Sequence, residues 1–260
     1  MEKEEAVESA GQLAFTRLQT AIQAGMLTPN QRLVERDLEK LLGLSRTPIR
    51  EALRELEKIG LIEHHAKRGA VVRDAGPKEI IEVFEVRLSL ERLAFDLMRP
   101  FSVGEMRALK GTHRRLATAV RERNAGLMVR LNDEFHDLII AVADSAFLSA
   151  QLSQLRQRTY LIRHRSWENQ VRVEKFVSEH AEIVKLLEDE DWDAYIREII
   201  DHIMIPVRLY FAHSMRVSDQ DRQEFLRLEN LASALASRPR LASMRLRASR
   251  SMTRSTGTGA

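Results

Sequence analysis

The sequence contains no cysteine among its 260 residues, which excludes disulfide bridges and thiolate metal sites. It has no apolar run near the roughly 18 residues that a membrane-spanning helix needs. The opening residues, MEKEE, are acidic and lack an apolar core, which argues against a secretory signal peptide. Together these absences favour a cytoplasmic protein that does not contact the membrane.

Acidic residues are absent from residue 237 onward, where the arginines are Arg238, Arg240, Arg245, Arg247, Arg250 and Arg254. This composition predicts a basic disordered tail, which could attract nucleic-acid phosphates or be a solvated extension without a role. The whole chain has a formal net charge of only +3, so bulk charge does not identify a nucleic-acid binder. Its length and 44% apolar content fit two globular domains.

Residues 45–53, SRTPIREAL, are typical of the start of an amphipathic helix. Ser45 suits the N-cap position, and Pro48 falls in the first turn, where a missing N–H costs little. A buried stripe is predicted at Ile49, Ala52, Leu53, Leu56 and Ile59. Arg46 and Arg50 are four residues apart and therefore share one outward face. Such a helix is suited to entering the major groove of DNA.

Two shorter helices are predicted before this one, the first through Leu13–Ile22 and the second through Leu38–Leu42 with Gly43 as its C-cap. After it, two β-prone runs flank the basic segment 64–69, HHAKRG, and predict a hairpin wing. Helix, glycine-containing turn, helix and hairpin together predict a winged helix-turn-helix.

Residues 13–73 resemble the DNA-binding head of the GntR family of bacterial transcription regulators. The shared elements are Leu33-x-Glu35-x-x-Leu38, the block Leu44–Leu53, Leu56-x-x-x-Gly60-Leu61-Ile62 and Gly69-x-Val71. Where the family usually has Pro-Gly, this chain has Pro29-Asn30, and asparagine tolerates the left-handed backbone conformation. The resemblance implies that the DNA contacts are Arg36, Ser45, Arg46, Thr47, Arg50, His65, Lys67 and Gly69.

From Gly76-Pro77 onward almost every segment has helical periodicity, which predicts an antiparallel all-α bundle. The first helix of the bundle carries an apolar stripe that runs from Ile80 to Leu97 and includes Leu90 and Leu93. Three further predicted helices each carry one histidine, His136, His180 and His202. Imidazole is a common ligand of zinc and nickel, but spacing alone does not establish a metal site.

Residues 79–213 resemble the FCD domain that follows this head in the FadR subfamily, through Val86-Arg87-x-x-Leu90-Glu91, Phe135-His136-x-x-Ile139, Glu179-His180-x-x-Ile183 and His202. The resemblance implies a divalent metal, zinc or else nickel, bound by these three histidines. Asn132 occupies the position where the family has an acid, so it is a neutral and weaker fourth ligand. Without a metal, the histidines would hydrogen-bond an effector or one another.

Arg87 is implied by the same resemblance to hold a small organic-acid effector beside the metal, since its guanidinium can grip a carboxylate through two hydrogen bonds. Its alternative role is a salt bridge to Glu91, four residues further along the same helix. Glu179 is expected to point away from the histidines, which leaves a metal-dependent hydrolase without an obvious general base.

These observations predict a mostly α protein with a flexible N-terminus (1–10), a winged helix-turn-helix (11–74), a linker (75–78), an all-α FCD-like domain for effector binding and dimerisation (79–215), and an extra helix with a basic tail (216–260). The predicted function is a homodimeric repressor, not an enzyme, that a small carboxylate releases from a pseudo-palindromic DNA operator. The alternatives are a metal-dependent hydrolase and a pure metal sensor.

Overall fold

The computed structural model describes residues 9–241 except for 24, 67, 160–161, 163–169 and 215–216. Within these residues the chain is mostly α-helical, and its strands form one two-stranded hairpin. This confirms the predicted fold class of a winged helix-turn-helix followed by an all-α bundle. Among the helices of the described part, none is both long and apolar enough to cross a bilayer.

The N-terminal head consists of α1 (Ala10–Gln23), α2 (Glu35–Leu42), α3 (Arg46–Lys58), β1 (Ile62–His65) and β2 (Gly69–Val72). The two strands are antiparallel, with Ile62 opposite Val72. Both α1 and α2 pack against α3, so their apolar stripes close around one core that includes Leu18, Ile22, Ile49, Leu56 and Leu61. Ala10 already belongs to α1, although the sequence predicts a flexible segment up to that residue.

Two left-handed residues shape the turns of the head. Gly43 (φ 66°) ends α2 and allows the chain to reverse into α3. Asn30 (φ 66°) takes the same conformation at the Pro29-Asn30 turn, as expected for an asparagine that replaces glycine. Ser45 is the N-cap residue of α3, but its hydroxyl makes no capping hydrogen bond, contrary to the prediction from the sequence.

The bundle begins with α4 (Pro77–Leu97) and continues with α5 (Val103–Arg121), α6 (Ala125–Ala141), α7 (Ala146–Arg158), α8 (Gln170–Glu188) and α9 (Trp192–His213). Pro77 is the first residue of α4 and lies inside the predicted linker 75–78, since proline suits the first turn of a helix. Polar caps define several helix starts. In α5, Ser102 and Glu105 form a reciprocal capping box.

An additional helix, α10 (Asp219–Ser237), packs on α4 and α9. On α4, Arg92 and Asp96 form a buried ion pair. The chain after α10 is hydrogen-bonded to both members of this pair. Arg92 Nη2 donates to the carbonyl of Pro239 over 2.9 Å, and Leu241 N donates to Asp96 Oδ1 over 3.1 Å. The prediction of a disordered tail from residue 237 is therefore wrong for residues 237–241, and residues 242–260 lie outside the described part.

The apolar stripe of α4 divides between two faces. Ile80, Ile81, Phe84 and Leu88 are buried in the bundle core. Val86, Leu93 and Leu97 lie on the opposite side with 51%, 42% and 51% of their surfaces exposed. The predicted stripe is therefore not one buried face, and the exposed row of Val86, Leu93 and Leu97 is called the outer α4 face.

Candidate nucleic-acid interface and buried histidine cluster

The N-terminal end of α3 carries the two predicted base-reading arginines at the protein surface. The side chains of Arg46 and Arg50 are 61% and 59% exposed. Arg46 Nε lies 3.3 Å from the Glu39 carboxylate, and Arg50 Nε lies 2.8 Å from Glu35 Oε1. The hydrogen bond from Arg50 lowers the pKa of the Glu35 carboxyl, which is therefore ionised near neutral pH. Both ion pairs engage Nε and steer the guanidinium groups without burying them.

The other predicted DNA contacts in the helix-turn-helix, Arg36, Ser45 and Thr47, are also exposed. In the wing, His65 is exposed and its Nε2 lies 2.8 Å from Glu63 Oε1. Gly69 has φ 72°, and a Cβ built on it would meet no atom within 4 Å. Glycine is therefore favoured here by the left-handed backbone conformation and not by a lack of space for a side chain. Lys67, the remaining predicted wing contact, lies outside the described residues.

His136 on α6, His180 on α8 and His202 on α9 meet inside the bundle. Each offers a ring nitrogen, and these three atoms lie within 4.8 Å of one another. All three residues are buried. Burial lowers the pKa of His136 well below its ordinary value, and positive charge from His202, His180, Arg156 and Arg87 acts in the same direction. The His136 ring is therefore neutral near neutral pH and keeps one nitrogen lone pair.

Asn132 contacts His180, one of the three histidines of this cluster. His180 Nδ1 lies 2.8 Å from the carbonyl oxygen of Phe176, one turn earlier on α8, so Nδ1 carries the proton of a neutral ring. His180 Nε2 then has a lone pair, and it lies 3.2 Å from Asn132 Oδ1. Two acceptor atoms at that separation are spaced as two adjacent ligands of one cation would be.

Glu179 holds the third ring. Its Oε2 lies 3.1 Å from His202 Nδ1, and both residues are buried. A carboxylate that accepts from Nδ1 leaves Nε2 unprotonated and fixes the ring orientation, which is the usual arrangement behind a metal-binding histidine. The expectation that Glu179 points away from the histidines is wrong, because its contact is with a ring on a different helix.

Arg87 is buried beside the histidine cluster. Its Nε lies 3.5 Å from Glu91 Oε1, so the alternative role of salt bridge is present in the structure, and its Nη1 donates to Thr159 Oγ1 over 3.4 Å. A second buried arginine, Arg156 on α7, pairs with Asp137 on α6. The positive charge of both guanidinium groups contributes to the low pKa of His136.

Arg156 and Glu179 are the residues of this site that the sequence reading missed. For Arg156 a signal was available, because it continues the i, i+4 row of Leu148 and Leu152, which are buried on α7. A charged residue on an apolar stripe indicates a buried polar contact. For Glu179 no local signal exists, since its partner His202 is on another helix.

Two protein-family models match the chain. The model of bacterial regulatory proteins of the gntR family matches residues 12–72, and the FCD domain model matches residues 82–205. The first match covers the whole head, including the arginines of α3 and the wing. The second covers Arg87 and the complete histidine cluster.

Individual proteins show the same similarity. The chain is 26% identical over 193 residues to the uncharacterized HTH-type transcriptional regulator YdhC of Bacillus subtilis. The aligned region covers 72% of this chain and 85% of that protein. It is 25% identical to the gluconate operon transcriptional repressor of Bacillus licheniformis, over 74% of this chain and 81% of that protein. Among solved structures, Escherichia coli McbR/YncC matches with a TM-score of 0.68 and 20% identity, over 79% of this chain and 99% of that one.

Proposed function

Because the chain belongs to the GntR family of bacterial regulatory proteins and carries an FCD domain behind its helix-turn-helix, we propose that it is a homodimeric transcriptional repressor that a small carboxylate releases from DNA. The observation that carries the proposal is the pairing of exposed arginines on α3 with a buried, metal-compatible histidine cluster in the bundle. The first element can bind an operator, and the second can bind the signal.

Arg46 and Arg50 are proposed to contact the DNA bases. Their ion pairs with Glu39 and Glu35 use Nε, so the terminal Nη groups remain to donate to O6 and N7 of guanine. The two carboxylates on α2 restrict the arginine side chains before DNA arrives, which lowers the entropy lost on binding.

Arg36, Ser45 and Thr47 are proposed to contact the DNA phosphates. All three are exposed around the N-terminal end of α3. The uncapped backbone N–H groups there favour an anion, and the free hydroxyl of Ser45 can donate to it. The wing would contact the flanking groove or backbone through His65, Lys67 and Gly69.

The histidine cluster fits a divalent cation, zinc or else nickel. His136, His180 and His202 each offer one ring nitrogen, the three atoms lie within 4.8 Å of one another, and the Asn132 amide oxygen lies 3.2 Å from His180 Nε2. Glu179 and the Phe176 carbonyl hold two of the rings from behind. A cation bound there would supply positive charge and an open coordination position for an anionic ligand.

The effector is proposed to be a small carboxylate that reaches both this cluster and Arg87. Arg87 is buried next to His136 and has the planar fork that binds a carboxylate through two hydrogen bonds. Its present contacts, at 3.5 Å to Glu91 and 3.4 Å to Thr159, are long. An effector carboxylate would compete with Glu91 for the Arg87 guanidinium, and a shorter charge-assisted pair with the effector would compensate for the contact that it replaces.

The dimer contact is proposed to be the outer α4 face. The three residues of this face and Leu90 form an apolar row, Val86, Leu90, Leu93 and Leu97, with spacings of four, three and four, which is the apolar repeat of helices that pack in pairs. Leu90 is half-buried and also packs against the bundle core. Leu93 and Leu97 are exposed in the single chain. Pairing of two copies through this row would place two heads on the two halves of a pseudo-palindromic operator.

Two alternatives remain to be separated by experiment: a metal-dependent hydrolase and a pure metal sensor. Glu179, the carboxylate that contacts the histidines, is engaged by His202 Nδ1 and lies outside the cluster, which disfavours it as a general base. The test is an operator selected from random DNA, bound by the purified protein and challenged with chelator, metal and carboxylic acids. Release by a carboxylate that is recovered unchanged supports the repressor, release by metal alone supports the sensor, and consumption of the acid supports the hydrolase.

A further inference from the structure

The candidate ligand set in the bundle is electrically neutral. Among the described residues, the group able to surround a cation contains three histidines and no carboxylate. Asn132 adds an amide oxygen, and it is 2% exposed. Glu179 lies 3.1 Å from His202 Nδ1 and is not among the residues that could surround the cation. A divalent cation at this point would therefore keep its full double charge within the first coordination shell.

Two buried arginines lie in the surroundings, and each is already paired with a carboxylate, Arg87 with Glu91 and Arg156 with Asp137. These ion pairs add no net negative charge that would offset a cation. Arg87 and Arg156 are 2% and 1% exposed, and both act electrostatically on His136. A buried cation without a neutralising ligand is costly, because a low-dielectric interior replaces water poorly. An anionic ligand reduces this cost because it lowers the net charge at the cation.

Resting on the proposed function, we propose that this protein binds its divalent metal and its carboxylate effector cooperatively, and that the reason is the absence of a negative charge at position 132, where Asn132 stands. The carboxylate supplies the negative charge that the amide does not. By linkage, each partner strengthens the binding of the other by the same factor. The protein then senses the metal and the acid together, and neither alone saturates the site at the concentrations that suffice for the pair.

The ligand class follows from the same positions. The carboxylate must place one oxygen at the point shared by His136, His180 and His202 while its remaining atoms reach toward Arg87. Acetate, glycolate and malonate are small acids of increasing size that test how much of this space a carboxylate fills. A neutral molecule of the same size brings no charge and should leave metal binding unchanged.

The test measures the affinity of the full-length protein for Co²⁺, whose visible absorption reports binding directly. Titrations are run in acetate, glycolate and malonate, each corrected for metal bound in solution, with nitrate at equal ionic strength as the control. At least one acid should tighten Co²⁺ binding by about 10-fold or more in the wild type. In Asn132→Asp, Co²⁺ should bind tightly in nitrate, and the acids should change its affinity less than about 3-fold.

Asn132→Ala provides a second variant in case a buried aspartate impairs folding, which circular dichroism checks. It should bind Co²⁺ more weakly than wild type and keep its dependence on the acid. The inference is overturned if Co²⁺ affinity of the wild type is the same in nitrate and in all three acids, or if Asn132→Asp depends on the acids as strongly as wild type. If carboxylate still releases DNA in that case, the repressor stands and only the cooperativity fails.

Discussion

Arg158, at the end of α7, lies against Gly60 in the turn between α3 and β1. A Cβ built on Gly60 would be 3.7 Å from Arg158 Nε. The next residue, Thr159, accepts the hydrogen bond from Arg87. One helix end thus touches both the proposed effector site and the turn that joins the recognition helix to the wing. A second link between the domains is the ion pair of Arg73 with Glu79, 2.8 Å long.

Arg158→Ala should weaken the coupling between effector and DNA. Operator affinity without effector should change less than about 3-fold, while the loss of affinity caused by a releasing carboxylate should shrink by roughly 5-fold or more, because coupling energies of 1–3 kcal/mol are typical. Fluorescence anisotropy with labelled operator measures both quantities. Gln154→Ala, an exposed change on the same helix, is the control. An unaltered carboxylate response in Arg158→Ala would show that the signal travels elsewhere.

Arg46→Ala and Arg50→Ala should each reduce specific operator binding, since a bidentate arginine–guanine contact is worth about 1–3 kcal/mol, or roughly 5- to 150-fold in affinity. Both side chains are exposed, so thermal stability and dimerisation should not change. Lys58→Ala is the matched control, because Lys58 lies at the other end of α3 and pairs with Glu55. Operator affinity equal to wild type in both arginine variants would remove α3 as the reading helix.

Glu179→Ala should weaken metal binding by about 10- to 100-fold, the usual effect of losing a residue that orients a ligand histidine. The reason is that His202 Nδ1 loses its acceptor and the ring loses its fixed tautomer. Competition against a zinc indicator measures the change. Glu182→Ala, an exposed site on the same helix, controls for altered charge. Metal affinity equal to wild type in Glu179→Ala would show that the carboxylate does not orient His202 for the metal.

Leu93→Glu should disrupt the dimer, because it puts a charge in the middle of the outer α4 face. Sedimentation should show a monomer, and operator affinity should fall by at least about 100-fold once the two heads are no longer linked. Leu226→Glu alters an equally apolar residue on α10 that is 60% exposed, and this protein should remain dimeric. A dimeric Leu93→Glu protein would move the interface to another surface.

Much of the fold and part of the site follow from sequence patterns. Gly43, Pro48 and the apolar stripe of α3 predict the helix-turn-helix because each acts within a few residues. The three histidines could be proposed as a cluster only through the family resemblance, since helical spacing does not tell which faces meet. The roles of Leu93 and of Arg92 were not predictable for a related reason: an apolar or charged position on a helix does not show which segment covers it.

Arg87 requires a variant that keeps its charge. It is paired with Glu91 inside the protein, and removal of one member of a buried pair typically costs about 3–5 kcal/mol of stability. With Arg87→Ala, loss of the response to carboxylate could therefore not be distinguished from loss of folding. Arg87→Lys keeps the positive charge but removes the planar fork that grips a carboxylate.

The proposed repressor requires that a carboxylate bound in the histidine cluster lowers the affinity of the head for DNA. The most direct measurement titrates the metal-loaded dimer on labelled operator with the small carboxylate that raises its melting temperature most. Operator affinity should fall by at least about 10-fold in wild type, with the acid recovered intact, and Arg87→Lys should need a much higher acid concentration. If operator affinity stays constant while the carboxylate saturates the protein, the bound acid is not the signal, and the proposed release from DNA by a carboxylate is wrong.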